Sequence, residues 1–247
     1  MIQAYFKGKL VIQDNCIKQN EDLKTSSSIG LLQYLPDDVF WNIMRNSCIG
    51  FPAIDFGKIT SFIFWAHNDP TGTRNTDYVE PDVWIETENY DVIIEVKKMD
   101  ENGTYPQSME QWQDQIQSVK NEQNNNDYEK PIILIALGGN ENMLPEIASG
   151  CPVYKASWYN VLNAVVNERD VQSDNGFVCR VLGDVIELFA QQGVMRIVWF
   201  NSLPLVSVDV CALDHWRKLK SKLSVGFSMI PQMIINENNI QQWQPVN

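Results

Sequence analysis

Apolar and polar positions follow two different periods along this chain, and the places where the period changes predict where strands give way to helices. Val83 and Ile85, then Val92, Ile93, Ile94 and Val96, make two β-branched runs separated by the polar stretch 86–90, a strand–turn–strand pattern. With the turn centred on Glu88-Asn89, Asp82 faces Glu95 and Glu80 faces Lys97 across the hairpin. An earlier strand is expected over Ile59, Phe62, Ile63, Phe64 and Trp65, ending at the turn residues Asn68-Asp69-Pro70. The continuous apolar run at 131–137 suits a buried strand, and 151–155 a short one.

Helical spacing appears where apolar residues recur every three or four positions. Leu31, Leu32 and Leu35, followed by Val39, Phe40, Ile43 and Met44, predict two helices with a break at Pro36. Met109, Trp112, Ile116 and Val119 form an apolar stripe over 107–122. Further helices are expected over 156–169, carrying Trp158, Val161, Leu162 and Val165, and over 176–192, stopped by Gly193. The stretch 121–130 has no apolar period and reads as a solvated loop, and 71–77 as another. Residues 1–13 fit a short strand pair or an N-terminal arm, and 194–200 and 206–212 fit further strands.

This order of strand, hairpin, helix, strand, strand, helix predicts an α/β fold. The length of 247 residues suits a single domain 1–247, with a core at about 21–200 and a C-terminal accessory segment at about 201–247. No apolar run approaches the roughly 20 residues of a membrane span, and 1–13 has no signal-peptide pattern, so a cytoplasmic protein without membrane contact is expected.

Composition removes several chemistries. With only two histidines, His67 and His215, there is little from which to build a histidine-ligated zinc site or a Ser-His-Asp triad. No glycine-rich phosphate loop is present, and the five cysteines form no C-x-x-C pair, which fits reduced thiols. What remains is the hairpin. Asp82 and Glu95 would stand on one face about 5 Å apart, a spacing that is costly unless a cation compensates it. Carboxylates of this kind suit Mg²⁺ (or Mn²⁺), with the Val96 carbonyl between Glu95 and Lys97 as a further oxygen and Lys97 placed to orient or deprotonate a water.

At these residues the chain resembles the PD-(D/E)XK nuclease superfamily, with Pro81-Asp82 matching the first half of the signature and Glu95-Val96-Lys97 the second. The resemblance implies a restriction endonuclease-like core, with a mixed central β-sheet flanked by α-helices on both faces, and a metal-dependent phosphodiesterase acting on DNA. Asp82, Glu95 and Val96 would hold the metal and Lys97 would serve the attacking water. It also implies a supporting role for Glu21, which matches an early glutamate that leans over the metal in similar nucleases. Glu21 reads equally well as a first-turn acid favoured by the helix dipole. Gln107, Gln111 and Gln115 lie four apart on the helix after the hairpin. Gln111 is the one expected to reach the site, while Gln107 and Gln115 read as solvated.

Charge pulls the other way. Thirty-one acids against nineteen bases give a net charge of −12, unfavourable for gripping a phosphate backbone. The densest positive patch, Arg217, Lys218, Lys220 and Lys222, is therefore the expected DNA contact outside the core, although a solvated helix face accounts for it equally well. The acidic surface also fits an alternative, a catalytically silent module with the same fold that acts through a protein partner or a homodimer.

Overall fold

The computed structural model describes residues 2–9, 12–13, 16–17, 20–98 and 106–194. In chain order these form α1 (Ile2–Phe6), β1 (Ile12–Gln13), β2 (Cys16–Ile17), α2 (Glu21–Leu32), α3 (Asp37–Ser47), β3 (Ile59–Phe64), β4 (Val83–Thr87) and β5 (Asp91–Val96). They continue with α4 (Met109–Asn125), β6 (Ile132–Leu137), β7 (Glu146–Ala148), β8 (Cys151–Ala156), α5 (Trp158–Val171) and α6 (Gly176–Gln191).

Six strands make one mixed sheet in the order β3-β4-β5-β6-β8-β7. The pairs β3/β4 and β4/β5 are antiparallel, β5/β6 and β6/β8 parallel, and β7/β8 antiparallel. The hairpin register pairs Val83 with Ile94, Trp84 with Ile93 and Ile85 with Val92, the alignment that the two β-branched runs predict. Because β5 and β6 are central and covered on both faces, every residue in them is buried, which is why their sequences read as nearly continuous apolar runs.

Alternation along the strands divides the core in two. Val83, Ile85, Val92, Ile94 and Val96 point to a large cluster with Ile29, Phe40, Trp158, Val161 and Leu182 from α2, α3, α5 and α6. Trp84, Ile93, Leu134 and Ala136 point the other way, against Trp112, Ile116 and Val119 of α4. Helices thus cover both faces of the sheet. Pro36 stands at the N-cap of α3, and Gly193 has φ 76° just past α6.

Three expectations change. Residues 2–6 are helical, with Ala4 fully buried and its N–H donating to Ser26 Oγ at 3.0 Å, and only the next residues pair as strands. α4 runs on to Asn125 where a solvated loop is expected, because its polar residues have hydrogen-bond partners elsewhere in the fold. Asn121 donates to the carbonyls of Asp69 and Thr71 at 3.0 and 2.8 Å, and Gln123 donates to Asp91 at 2.7 Å. Polar side chains satisfied in this way are buried without leaving an apolar period. The short strand β7 has no counterpart in the sequence reading. The strands expected at 194–200 and 206–212, the accessory segment and the basic patch with Arg217 lie outside the described residues, apart from Val194, which follows α6. Among the described residues, no helix is long and apolar enough to cross a membrane.

Candidate active site

The site forms where β5 ends. Asp82 immediately precedes β4, and continuing the hairpin register by one pair sets it opposite Glu95. Its carboxylate is held on both oxygens: the Val96 N–H donates to Oδ2 at 2.8 Å and the Trp65 indole N–H donates to Oδ1 at 3.2 Å. The backbone joins in, with the Trp65 N–H donating to the Asp82 carbonyl at 3.2 Å. Trp65 makes these contacts from a left-handed turn, φ 49°, at the end of β3.

Glu95, 2% exposed, is the hub. Its Oε1 accepts from the Lys97 ammonium at 2.6 Å and from the Gln111 amide at 2.6 Å, and its Oε2 accepts from the Gln115 amide. Gln107 donates to the Glu95 carbonyl at 3.1 Å, while its own side-chain oxygen accepts from the Trp112 indole at 2.8 Å. All three glutamines on this line therefore reach Glu95, and the reading of Gln107 and Gln115 as solvated is corrected. For Gln111 and Gln115 the four-residue spacing was the visible signal, since positions i and i+4 share one helix face, whereas Gln107 lies before the Ser108 cap of α4 and reaches Glu95 from the preceding loop.

Glu21, in the first turn of α2, closes the site from the opposite helix layer. Asn20 caps that helix by accepting the Leu23 N–H at 2.9 Å, which fixes where the first turn lies. Glu21 Oε2 accepts the Lys98 N–H at 3.1 Å, and Oε1 stands 3.8 Å from the Lys97 ammonium. The helix-dipole placement and the lean towards the site both hold for this one residue. Val96 donates its N–H to Asp82 and buries its side chain in the larger core, which leaves its carbonyl as its one remaining polar group for ligation. Asp82, Glu95, Lys97, Glu21, Gln111 and Val96 are thus brought together. Glu80 is not: instead of facing Lys97 it pairs with Lys9 and with His67, because β4 begins only at Val83 and strand alternation no longer governs it. The missed residues are Trp65, Gln107 and Gln115.

The electrostatics follow from this crowding. Burial, then the nearby Glu95 charge, push the Asp82 carboxyl well above the ordinary aspartate range, against the opposing pull of the Val96 N–H and Lys97. Glu21 is also raised, by burial first and by Glu95, with Lys97 opposing. Burial works against the charge on Lys97, but Glu95, Glu21 and Asp82 more than offset it and hold the ammonium above its usual value. Lys97 is consequently a proton-bearing donor here, suited to orienting a water rather than to deprotonating it. It is also 7% exposed, so it belongs to the interior and not to the solvent side.

The donor set can be tested against a hard cation. Among the described residues, no three His, Cys, Asp or Glu side chains are grouped to hold a metal. Mg²⁺ needs less than that from a protein, being held by one or two carboxylates with waters and substrate phosphate completing its shell. Asp82 and Glu95 fit this role, each keeping acceptor capacity beyond the bonds just described. A further oxygen, Gln115 Oε1, is buried beside Glu95 with no hydrogen-bond partner. Such an orphaned acceptor is costly in the absence of a cation or a water. No protein-family model matches the chain, and neither a curated protein nor a solved structure matches it.

Proposed function

We propose that this protein is a metal-dependent phosphodiesterase of the PD-(D/E)XK type, built on a restriction endonuclease-like core and hydrolysing DNA with Mg²⁺ or Mn²⁺. The observation that carries the reading is the buried Lys97 ammonium 2.6 Å from Glu95, within the electrostatic reach of Asp82 and Glu21. Asp82 and Glu95, with the Val96 carbonyl, would hold the cation. When bound, the cation supplies charge stabilisation at the phosphate and at the leaving oxygen.

The chain's own groups account for the rest. Lys97 donates a hydrogen bond to the attacking water and fixes its approach. Gln111 and Gln115 hold the Glu95 carboxylate in one orientation, and the Trp65 indole does the same for Asp82. Plasmid and oligonucleotide DNA incubated with Mg²⁺, with Mn²⁺ and with excess EDTA test the proposal. Cleavage that needs the metal and disappears in Asp82→Ala supports it, and cleavage that survives chelation refutes it.

One observation favours the alternative of a catalytically silent module acting through a partner. Glu95 accepts three side-chain donors from the protein itself, so its carboxylate is already stabilised with no cation bound. In that case divalent cations would neither bind nor support cleavage.

A further inference from the structure

Two cavities meet at Glu80, and each has a wall bonded to one of the two buried carboxylates. The first, about 490 Å³, is lined by Phe6, Lys7, Lys9, Trp65, His67 and Glu80. Its Trp65 is the residue whose indole N–H donates to Asp82. The second, about 340 Å³, includes Arg74, Glu80, Gln111 and Gln115. Its two glutamines are those that donate to Glu95. Glu80 is the residue that the two cavities share.

The lining of the first cavity narrows the kind of polymer. His67 is stacked on Tyr78, with ring centroids 3.9 Å apart and planes 13° from parallel, and the imidazole borders the cavity. Phe6 is 73% exposed at its rim, and the neighbouring Tyr5 is 68% exposed. Aromatic faces open to solvent beside lysines are the elements that hold unstacked bases next to a backbone phosphate. Duplex DNA keeps its base faces stacked within the helix and cannot use such a platform. The chain's net charge of −12 points the same way, since a duplex grip depends on many cations, whereas stacking contributes affinity without them. Lys9 offsets the Glu80 charge by pairing with it, which leaves Lys7 as the cation at this cavity for a backbone phosphate.

We propose that this cavity seats an unpaired nucleotide, its base against His67 and Phe6 and its phosphate at Lys7, so that the substrate is single-stranded where it approaches the carboxylates. The binding claim stands by itself; the approach to a reacting centre rests on the phosphodiesterase reading.

Fluorescence anisotropy on the full chain tests it, in EDTA so that nothing is cleaved. The probes are a fluorescein-labelled thymidine dodecamer and its duplex with the complementary adenosine strand. The single strand should bind at least about tenfold more tightly than the duplex, and His67→Ala and Phe6→Ala should each weaken it about fivefold or more while leaving the melting temperature unchanged. Lys7→Gln should lower the slope of log affinity against log salt by about one. Equal binding of single strand and duplex, binding of neither, or parental affinity in both aromatic variants overturns the proposal. A Mg²⁺ cleavage assay on the same probes separates the two readings. Single-strand binding that the variants weaken, without cleavage, removes the phosphodiesterase and keeps the nucleotide site. Cleavage of duplex that the variants do not alter does the reverse.

Discussion

Gly139 packs so closely on Lys97 that a Cβ added to the glycine would lie 2.9 Å from both Cβ and Cγ of the lysine. The glycine also sits at φ +66°, and its carbonyl accepts the Gln107 N–H at 3.1 Å, so one turn after β6 braces Lys97 and the start of the glutamine line together. Gly139→Ala should destabilise the fold by about 1–2 kcal/mol from backbone strain alone, with the displaced Lys97 adding to it. Urea denaturation and a cleavage assay check this, and a parental midpoint with parental cleavage would show that the lysine does not depend on this brace.

Lys97 itself is interior, and this sets the cost of removing it. In Lys97→Ala, Glu95 and Glu21 lose their nearest cation, and breaking a buried ion pair costs about 3 kcal/mol or more. Cleavage should disappear and stability should fall together. Lys97→Arg keeps the charge but not the compact ammonium, so it should recover most of the stability and little of the cleavage. Recovery of both would argue against a water-orienting role.

Gln115→Leu separates packing from hydrogen bonding at the other end of the same carboxylate. Leucine fills similar space but leaves Glu95 Oε2 without its donor, at a cost of about 1–3 kcal/mol in unfolding free energy that is offset in part because the unpaired Gln115 Oε1 is removed with it. Gln115→Ala should cost more, because it also opens a cavity at a position 1% exposed. A leucine variant as stable as the parent would mean that the amide's bond to Glu95 is worth no more than its unpaired oxygen costs.

The hairpin was legible because its information is local. β-branched runs and a polar turn fix the register, and the register sets Asp82 opposite Glu95. Two residues earlier the same rule fails for Glu80, whose partner Lys9 lies outside the hairpin altogether. The glutamine line was visible as a spacing, but the sequence does not say which face of α4 looks at β5 once polar residues line the contact. Asn121 and Gln123 were illegible for a related reason, since burial through hydrogen bonds to Asp69, Thr71 and Asp91 leaves no hydrophobic period to read.

Asp82 gives the metal-free protein a characteristic response to pH. Its folded value lies well above that of an unfolded aspartate, owing first to burial and then to Glu95, so the fold prefers it protonated. Its stabilising contribution is complete below the unfolded value of about 4 and is lost as pH rises through the raised folded value. Glu21, Asp22 and Glu86 are shifted in the same direction, each by burial first. In EDTA the melting temperature should therefore fall as pH rises from 5 to 8, and the slope should be shallower in Asp82→Ala. A slope that Asp82→Ala leaves unchanged would assign the effect to the other acids.

Cys48 supplies a second titration, at the alkaline end and away from the site. It closes α3, its backbone bridges to Ala156 at the end of β8, and its side chain is 6% exposed. Burial pushes its thiol up to about 12, so the folded state holds it neutral where an unfolded cysteine, at about 8.5, has ionised. Because the folded value is the higher one, the stability tied to this thiol is complete below about pH 8.5 and is lost as pH rises towards 12. Two results follow. Iodoacetamide at pH 8 should leave Cys48 unmodified in the folded protein and alkylate it in urea, as read by peptide mass mapping, because the thiolate is the reactive form and the site is closed. Between pH 8.5 and 11 the melting temperature of Cys48→Ala should fall less steeply than that of the parent, although the variant starts lower for want of the buried sulfur. Ready alkylation of Cys48 in the folded state at pH 8 would show that the end of α3 opens locally, and parallel melting curves would show that this thiol does not contribute to alkaline unfolding.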